Sequence, residues 1–145
     1  MDGGRWTVDV RQSSRDETLM AMYEVGVTGQ FEAAHRLVGD FGPATRMHGH
    51  TYRLEAAVRG PALRPDGTLF DITALQAAVA ALVAELHYRD LGEVPGLAGV
   101  NTTAEHVAAF CWQRLAPALA GLGLRSLSVR VWENPGAYAA YEAAL

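Results

Sequence analysis

The chain has 145 residues, half of them hydrophobic and 19% charged, which is the composition of one globular domain with a sizeable core. The formal net charge of −4 argues against a nucleic-acid-binding protein, which is usually basic. The one cysteine, Cys111, excludes an internal disulfide, and no apolar run approaches the roughly 20 residues of a membrane span. We therefore expect a cytoplasmic protein with neither a nucleic acid nor a membrane as its partner.

The first part of the chain divides into a tail and a strand. Residues 1–20 are polar, contain glycine and show no sustained period, so we interpret them as a flexible N-terminal extension. Residues 21–145 are expected to form a single domain. Apolar and polar side chains alternate over residues 23–31, which predicts a first strand that brings His35 to its end.

A loop, a second strand and a helix follow. Two glycines and a proline mark residues 38–45 as a loop, and renewed alternation predicts a strand over residues 48–60. The period then changes to three and four, which predicts an amphipathic helix over residues 71–86 with Asp71 as its N-cap. The apolar stripe expected to face the core is Ile72, Leu75, Val79, Leu82, Val83 and Leu86.

The last part of the chain predicts a loop, a helix and then two strands. After a loop at residues 91–100, Thr102 and Glu105 have the spacing of a capping box, with a hydroxyl at the cap and a carboxylate three residues later. The helix that follows places Val107, Phe110, Cys111 and Leu115 on its apolar side. Residues 125–133 and 137–142 predict two more strands, so the expected order is β-β-α-α-β-β.

Two histidines at the start of the second strand form a candidate metal site. His48 and His50 are two residues apart, so their side chains lie on one face of a strand. His35 ends the strand before them and supplies a third imidazole. Three neutral imidazoles with an open fourth position are the ligand set of a catalytic zinc. The alternative is a polar strand start with solvated rings, and imidazole also suits iron or nickel.

Five stretches in order and at workable spacing resemble the 6-pyruvoyl-tetrahydropterin synthase / 6-carboxytetrahydropterin synthase family. They are Phe31-Glu32-Ala33-Ala34-His35-Arg36-Leu37, His48-Gly49-His50, Asp71, Thr103-Ala104-Glu105 and Val129-Arg130-Val131-Trp132-Glu133. The resemblance covers almost everything beyond the extension.

The resemblance implies an α+β tunnelling fold, in which an antiparallel sheet carries two helices on one face and closes into a barrel by oligomerisation. It also implies Zn²⁺ on His35, His48 and His50, and a pterin substrate, 7,8-dihydroneopterin triphosphate. The expected assembly is a homo-oligomer, a trimer or a hexamer, with active sites between subunits. Independently, a four-stranded sheet has open edges that must be covered or paired.

Glu133 is the main candidate for pterin recognition. It lies on the apolar face of its strand, where an unpaired carboxylate is costly to bury. A pterin ring offers two parallel N–H donors, which a carboxylate can accept as a pair. Glu105, Thr102 and Thr103 are further candidates, because a helix N-terminus presents free amides to a ligand. The alternatives are that Glu133 reaches water and that Glu105 only caps its helix.

The sequence departs from the resembled family at the proton-transfer positions. The family has a cysteine four residues before His-Gly-His, where this chain has Ala44, and an Asp-His pair after the first helix, where it has His87 and Tyr88. Alanine cannot transfer a proton, and general base catalysis is commonly worth about 10²–10⁴-fold. Histidine and tyrosine can, so His87 and Tyr88 are the candidate catalytic residues.

Three interpretations of the function remain open at this point. The first is a lyase-type pterin synthase that breaks a carbon–oxygen or carbon–carbon bond, keeps zinc as a Lewis acid, and uses His87 and Tyr88 for proton transfer. The second is a catalytically inactive pterin-binding protein or partner subunit that retains the metal site. The third is a purely structural zinc beside a vestigial pocket. The sequence does not identify the substrate's side chain.

Overall fold

In a computed structural model, residues 21–145 are described, and they form one sheet with two helices. The predicted flexible extension at residues 1–20 lies outside the described residues. The elements, in chain order, are β1 (Tyr23–His35), β2 (His48–Gly60), α1 (Ile72–Leu86), β3 (Arg89–Asp90), α2 (Ala104–Leu119), β4 (Ser126–Asn134) and β5 (Ala137–Ala144). Short 3₁₀ turns lie at Gly42–Thr45 and Leu91–Glu93.

The sheet has five strands in the order β3-β1-β2-β4-β5. All neighbours are antiparallel except β1 and β3, which pair in parallel through only two residue pairs, Ala33 with Arg89 and Ala34 with Asp90. The α+β class and both helices are confirmed. The predicted order β-β-α-α-β-β lacked β3, because a strand of two residues is too short to show a period.

Both helices cover one face of the sheet. Alternate residues of β1, β2 and β4 are buried against them, which is the period of two expected for a sheet with one covered face. Close approach of α1 to β1 requires Gly29, since a Cβ there would lie 2.8 Å from Val79 and Val83. Ile72, predicted in the core stripe, is instead 51% exposed, and the buried residues of α1 begin at Leu75.

The helix starts agree with the sequence in one case and differ in the other. The Asp71 side chain accepts a hydrogen bond from the Thr73 amide at 2.9 Å, as expected of an N-cap. The cap of α2 is Thr103, which accepts from the His106 amide at 3.2 Å, and not Thr102. Glu105 is therefore in the first turn but one position too early for the predicted capping box.

No helix of residues 21–145 is long and apolar enough to cross a membrane.

Cys111 lies in the core between α2 and the sheet, as the apolar stripe predicted. Burial raises the pKa of its thiol to about 12, and the charge of Glu85 acts in the same direction. The nucleophile in thiol chemistry is the thiolate, so the folded protein is expected to react with a disulfide reagent at pH 8 more than about 100-fold more slowly than the urea-unfolded chain. Release of the coloured thiol product, followed with and without urea, measures this; equal rates would contradict it.

Candidate metal centre and adjoining pocket

Strands β1 and β2 bring three histidines together. In the register, His35 is opposite His48 and Ala33 is opposite His50, so all three rings lie on the helix-covered face at one end of the sheet. The ring centroids are 4.5 Å apart for His35 and His48, 5.1 Å for His35 and His50, and 4.8 Å for His48 and His50. One nitrogen from each ring lies within 4.8 Å of the others. The cluster can therefore hold one metal ion.

Hydrogen bonds leave the Nε2 atoms of the cluster free. His35 Nδ1 lies 2.8 Å from the Thr102 carbonyl and His48 Nδ1 lies 2.7 Å from the Arg46 carbonyl. A carbonyl only accepts, so each Nδ1 donates its proton and each Nε2 keeps its lone pair. The buried Nε2 atoms of His35 and His50 have no hydrogen-bond partner within residues 21–145. Such orphaned acceptors fit a metal ion.

Burial favours the neutral form of His50, which is the form that binds a metal. Desolvation lowers the pKa of His50, and the positive charges of His35 and His48 act in the same direction, although the Glu133 carboxylate opposes them. A neutral imidazole binds a metal and an imidazolium does not. The three-histidine donor set therefore suits zinc and related divalent ions.

A pocket lies at the end of β4, between Glu133 and Leu37, which is two residues after His35. Its volume is about 300 Å³, near the lower end of the range for small-molecule sites. Three of the four predicted substrate-binding residues line it, namely Glu133, Glu105 and Thr103. The remaining walls are Leu37, Phe41, Ala104, Ala137, Tyr138 and Ala139. Glu133 also connects the pocket with the cluster, because its charge acts on His50.

Thr102, the fourth predicted substrate-binding residue, lies elsewhere. It is 3% exposed, and its carbonyl accepts a hydrogen bond from His35 Nδ1. Thr102 therefore lies behind His35 and does not line the pocket.

The structure places His87 and Tyr88 at the outer edge of β1. His87 Nδ1 accepts a hydrogen bond from the Glu32 amide at 3.0 Å, and the Tyr88 amide donates to the Glu32 carbonyl at 2.7 Å. The two rings are 3.9 Å apart. Tyr88 is 81% exposed and has a φ of 55°, which no other non-glycine residue within residues 21–145 matches in sign. A bulky residue in this conformation is strained.

Tyr88 lines a cavity of about 490 Å³ whose walls include Glu32 and Thr51. These two residues are opposite each other in the register, and the Thr51 hydroxyl donates to the Glu32 carboxylate. Since side chains alternate along a strand, they point away from the face that carries the three histidine rings. His50 also lines this cavity, so within one chain Tyr88 and one histidine of the cluster border the same space at the outer edge of β1.

Asn101 is a structural residue of the site that sequence reasoning missed. Its side chain accepts from the Val38 amide at 2.9 Å and donates to the Val38 carbonyl at 3.0 Å, which fixes the loop after His35 against the start of α2. Its carbonyl accepts from His106 Nδ1 at 2.6 Å. His106 is exposed. A polar residue just before a helix gives no signal of a partner 63 residues away.

Comparison with known proteins supplies the context of these residues. The family model described as 6-pyruvoyl tetrahydropterin synthase matches residues 24–144. A 6-pyruvoyl tetrahydrobiopterin synthase of Dictyostelium discoideum is 32% identical over 101 residues, which cover 61% of this chain and 75% of that protein. A dihydroneopterin monophosphate aldolase of Pyrococcus furiosus is 32% identical over 105 residues, which cover 72% of this chain and 83% of that protein.

A solved structure shows the same fold. The 6-pyruvoyl tetrahydropterin synthase of Caenorhabditis elegans superposes with a TM-score of 0.73 over 86% of this chain and 98% of that one, at 23% identity. The subunit therefore has the tunnelling fold, as the resemblance implied.

Proposed function

The chain belongs to the 6-pyruvoyl tetrahydropterin synthase family, and from that premise we propose that it is a metal-dependent enzyme acting on the side chain of a dihydropterin. The first candidate substrate is 7,8-dihydroneopterin triphosphate. The observation that carries the proposal is the open cluster of His35, His48 and His50, with free Nε2 atoms, beside a pocket that contains Glu133.

Zinc is the metal proposed for the cluster, held by His35, His48 and His50. Bound there, it would act as a Lewis acid on a side-chain oxygen of the pterin. The protein's own contribution is to orient the rings of His35 and His48, because the Thr102 and Arg46 carbonyls accept hydrogen bonds from their Nδ1 atoms and leave Nε2 for the metal.

Glu133 is proposed to anchor the pterin ring. The pocket it lines has a volume of about 300 Å³, and a carboxylate accepts the two parallel N–H groups of the 2-amino-pyrimidine edge of a pterin. Glu105 and Thr103 lie in the same wall, where they can contact the ligand directly. Thr102 contributes through His35 and does not contact the ligand in this proposal.

His87 and Tyr88 are proposed to act at a site between neighbouring copies, because the cavity that Tyr88 lines lies along the outer edge of β1, where another strand can pair. Two edges are open for such an assembly. The outer edge of β1 is paired with β3 only at Ala33 and Ala34, and β5 ends the sheet on the other side. Pairing of these edges between copies would close a barrel, as a trimer or hexamer, and would satisfy their backbone groups.

Two alternatives keep the same pocket. One is a catalytically inactive pterin-binding protein or partner subunit, motivated by Ala44 in place of the family cysteine. The other is carbon–carbon cleavage of the side chain, motivated by the similarity to the aldolase of Pyrococcus furiosus. The predicted cytoplasmic location stays part of the proposal.

Binding of 7,8-dihydroneopterin triphosphate to zinc-loaded protein, with product analysis by mass spectrometry, tests the proposal. Glu133→Gln keeps the shape of the side chain but replaces one acceptor oxygen with a donor, so the affinity is expected to fall about 10- to 100-fold. Glu142→Gln is the matched control, since Glu142 is an exposed carboxylate on β5.

The outcomes separate the alternatives. Loss of triphosphate or a shortened side chain indicates an enzyme, and bound ligand recovered intact indicates a pterin-binding protein. Equal affinity of the wild type and Glu133→Gln would remove Glu133 from recognition, and no binding by the wild type would overturn the proposal as a whole.

A further inference from the structure

Tyr52 carries a hydroxyl group with no partner in the middle of the core. The residue is 0% exposed, and its Oη has no hydrogen-bond partner within residues 21–145. A buried polar atom without a partner costs about 1–3 kcal/mol, and phenylalanine would fill the same space without that cost. The hydroxyl is therefore unfavourable in the free protein unless a molecule that binds there uses it.

The surroundings of Tyr52 belong to the site. Its ring stacks on Phe31 at 4.9 Å, and the rings of His50 and His35 approach it edge-on at 5.3 and 5.9 Å. Tyr52 follows His50 on the same face of β2. The Nε2 atoms of His35 and His50 are orphaned in the same way. Tyr52, His35 and His50 thus each have a buried polar atom without a hydrogen-bond partner within residues 21–145.

Glu133 lies on the other side of Tyr52. The register of β2 and β4 ends with Arg53 opposite Trp132, and Glu133 is the next residue of β4, as Tyr52 is the neighbouring residue of β2. Tyr52 does not line the pocket in the free chain, so a ligand would reach the hydroxyl past Glu133, between that carboxylate and the three-histidine cluster.

We propose that Tyr52 is a ligand-binding residue whose hydroxyl donates a hydrogen bond to the pterin bound between the three-histidine cluster and Glu133. This inference rests on the function proposed above. With the 2-amino and N3–H groups on Glu133 and the 6-substituent directed to the metal, the ring edge between them carries two acceptors, the 4-oxo group and N5. Neither acceptor has another proposed donor, and a phenol O–H supplies one.

Tyr52→Phe removes only the hydroxyl. We expect the zinc-loaded variant to bind 7,8-dihydroneopterin about 10-fold more weakly than the wild type in isothermal titration calorimetry, because the ligand acceptor loses its donor. The melting temperature of the metal-free protein should not fall, since no protein hydrogen bond is lost. The zinc content should stay unchanged, since the hydroxyl is not a metal ligand. Tyr23→Phe, at a 50% exposed tyrosine, is the control.

The possible results are distinct. Equal affinity of the wild type and Tyr52→Phe overturns this inference and leaves the proposed function standing. A lower melting temperature of the metal-free variant, or a loss of zinc, also overturns it, because the hydroxyl then has a partner in the protein or at the metal. No binding by the wild type overturns the proposed function, and this inference with it.

Discussion

His50→Ala is expected to lower the affinity of the protein for zinc by more than about 100-fold. Loss of a residue that merely supports a ligand commonly costs 10- to 100-fold in metal affinity, and here one of three ligands is removed. The buried Nε2 of His50 has no other partner to lose within the described residues, so the change acts on the metal. Zinc per chain after dialysis, and competition with a chromophoric chelator, measure the effect.

His106→Ala is the matched control for this experiment. His106 is an exposed histidine whose ring bonds to a backbone carbonyl and lies outside the cluster. Circular dichroism of both metal-free variants establishes that each is folded. Wild-type zinc affinity in His50→Ala would show that His35 and His48 bind the metal without it, or that the metal binds elsewhere.

Tyr88→Phe and His87→Ala are each expected to lower turnover of the pterin substrate by about 10²–10⁴-fold with zinc retained, the usual value of a general acid or base. The structure distinguishes the two residues. The Nδ1 lone pair of His87 already accepts a hydrogen bond from the Glu32 amide, so only the Nε2–H group of the ring is left for proton transfer. Tyr88 is exposed, and its hydroxyl group makes no hydrogen bond within residues 21–145.

His87→Asn separates proton transfer from positioning. An asparagine oxygen can accept the Glu32 amide in place of Nδ1 but does not exchange protons near neutral pH. Turnover near the wild-type rate in His87→Asn, together with slow turnover in His87→Ala, would make His87 a positioning residue for Tyr88. Unchanged turnover in both Tyr88→Phe and His87→Ala would remove the pair from the mechanism, with Tyr141→Phe and His106→Ala as controls.

The long elements of the fold could be predicted from periodicity because each buries one face against the core. The period of two in β1 and β2 and the stripe of α1 correspond to the observed burial, except at the first residues of β1 and α1, where Tyr23 and Ile72 are exposed. The wrong predictions concern features of the fold that depend on only a few contacts. β3 is two residues long, and the choice of Thr103 over Thr102 as a cap depends on a tertiary contact, the bond of the Thr102 carbonyl to His35.

The three histidines of the candidate site could be predicted from the sequence, but their surroundings could be predicted less well. Residues on one strand face stay together in any register, which brought His48 and His50 together from sequence alone. That His87 is engaged with the edge of β1, and that the Tyr52 hydroxyl is orphaned, depend on packing between elements far apart in the chain. No local pattern carries that information.

The hydrogen bond between His35 and the Thr102 carbonyl couples the geometry of the three-histidine cluster to the start of α2. His48 meets His35 through the pairing of β1 with β2, but the group that fixes the His35 tautomer comes from 67 residues further along the chain. The three rings therefore depend on the two strands for their proximity and on the packing of α2 for the orientation of His35. A substitution that loosens the start of α2 is expected to weaken metal binding without altering a histidine.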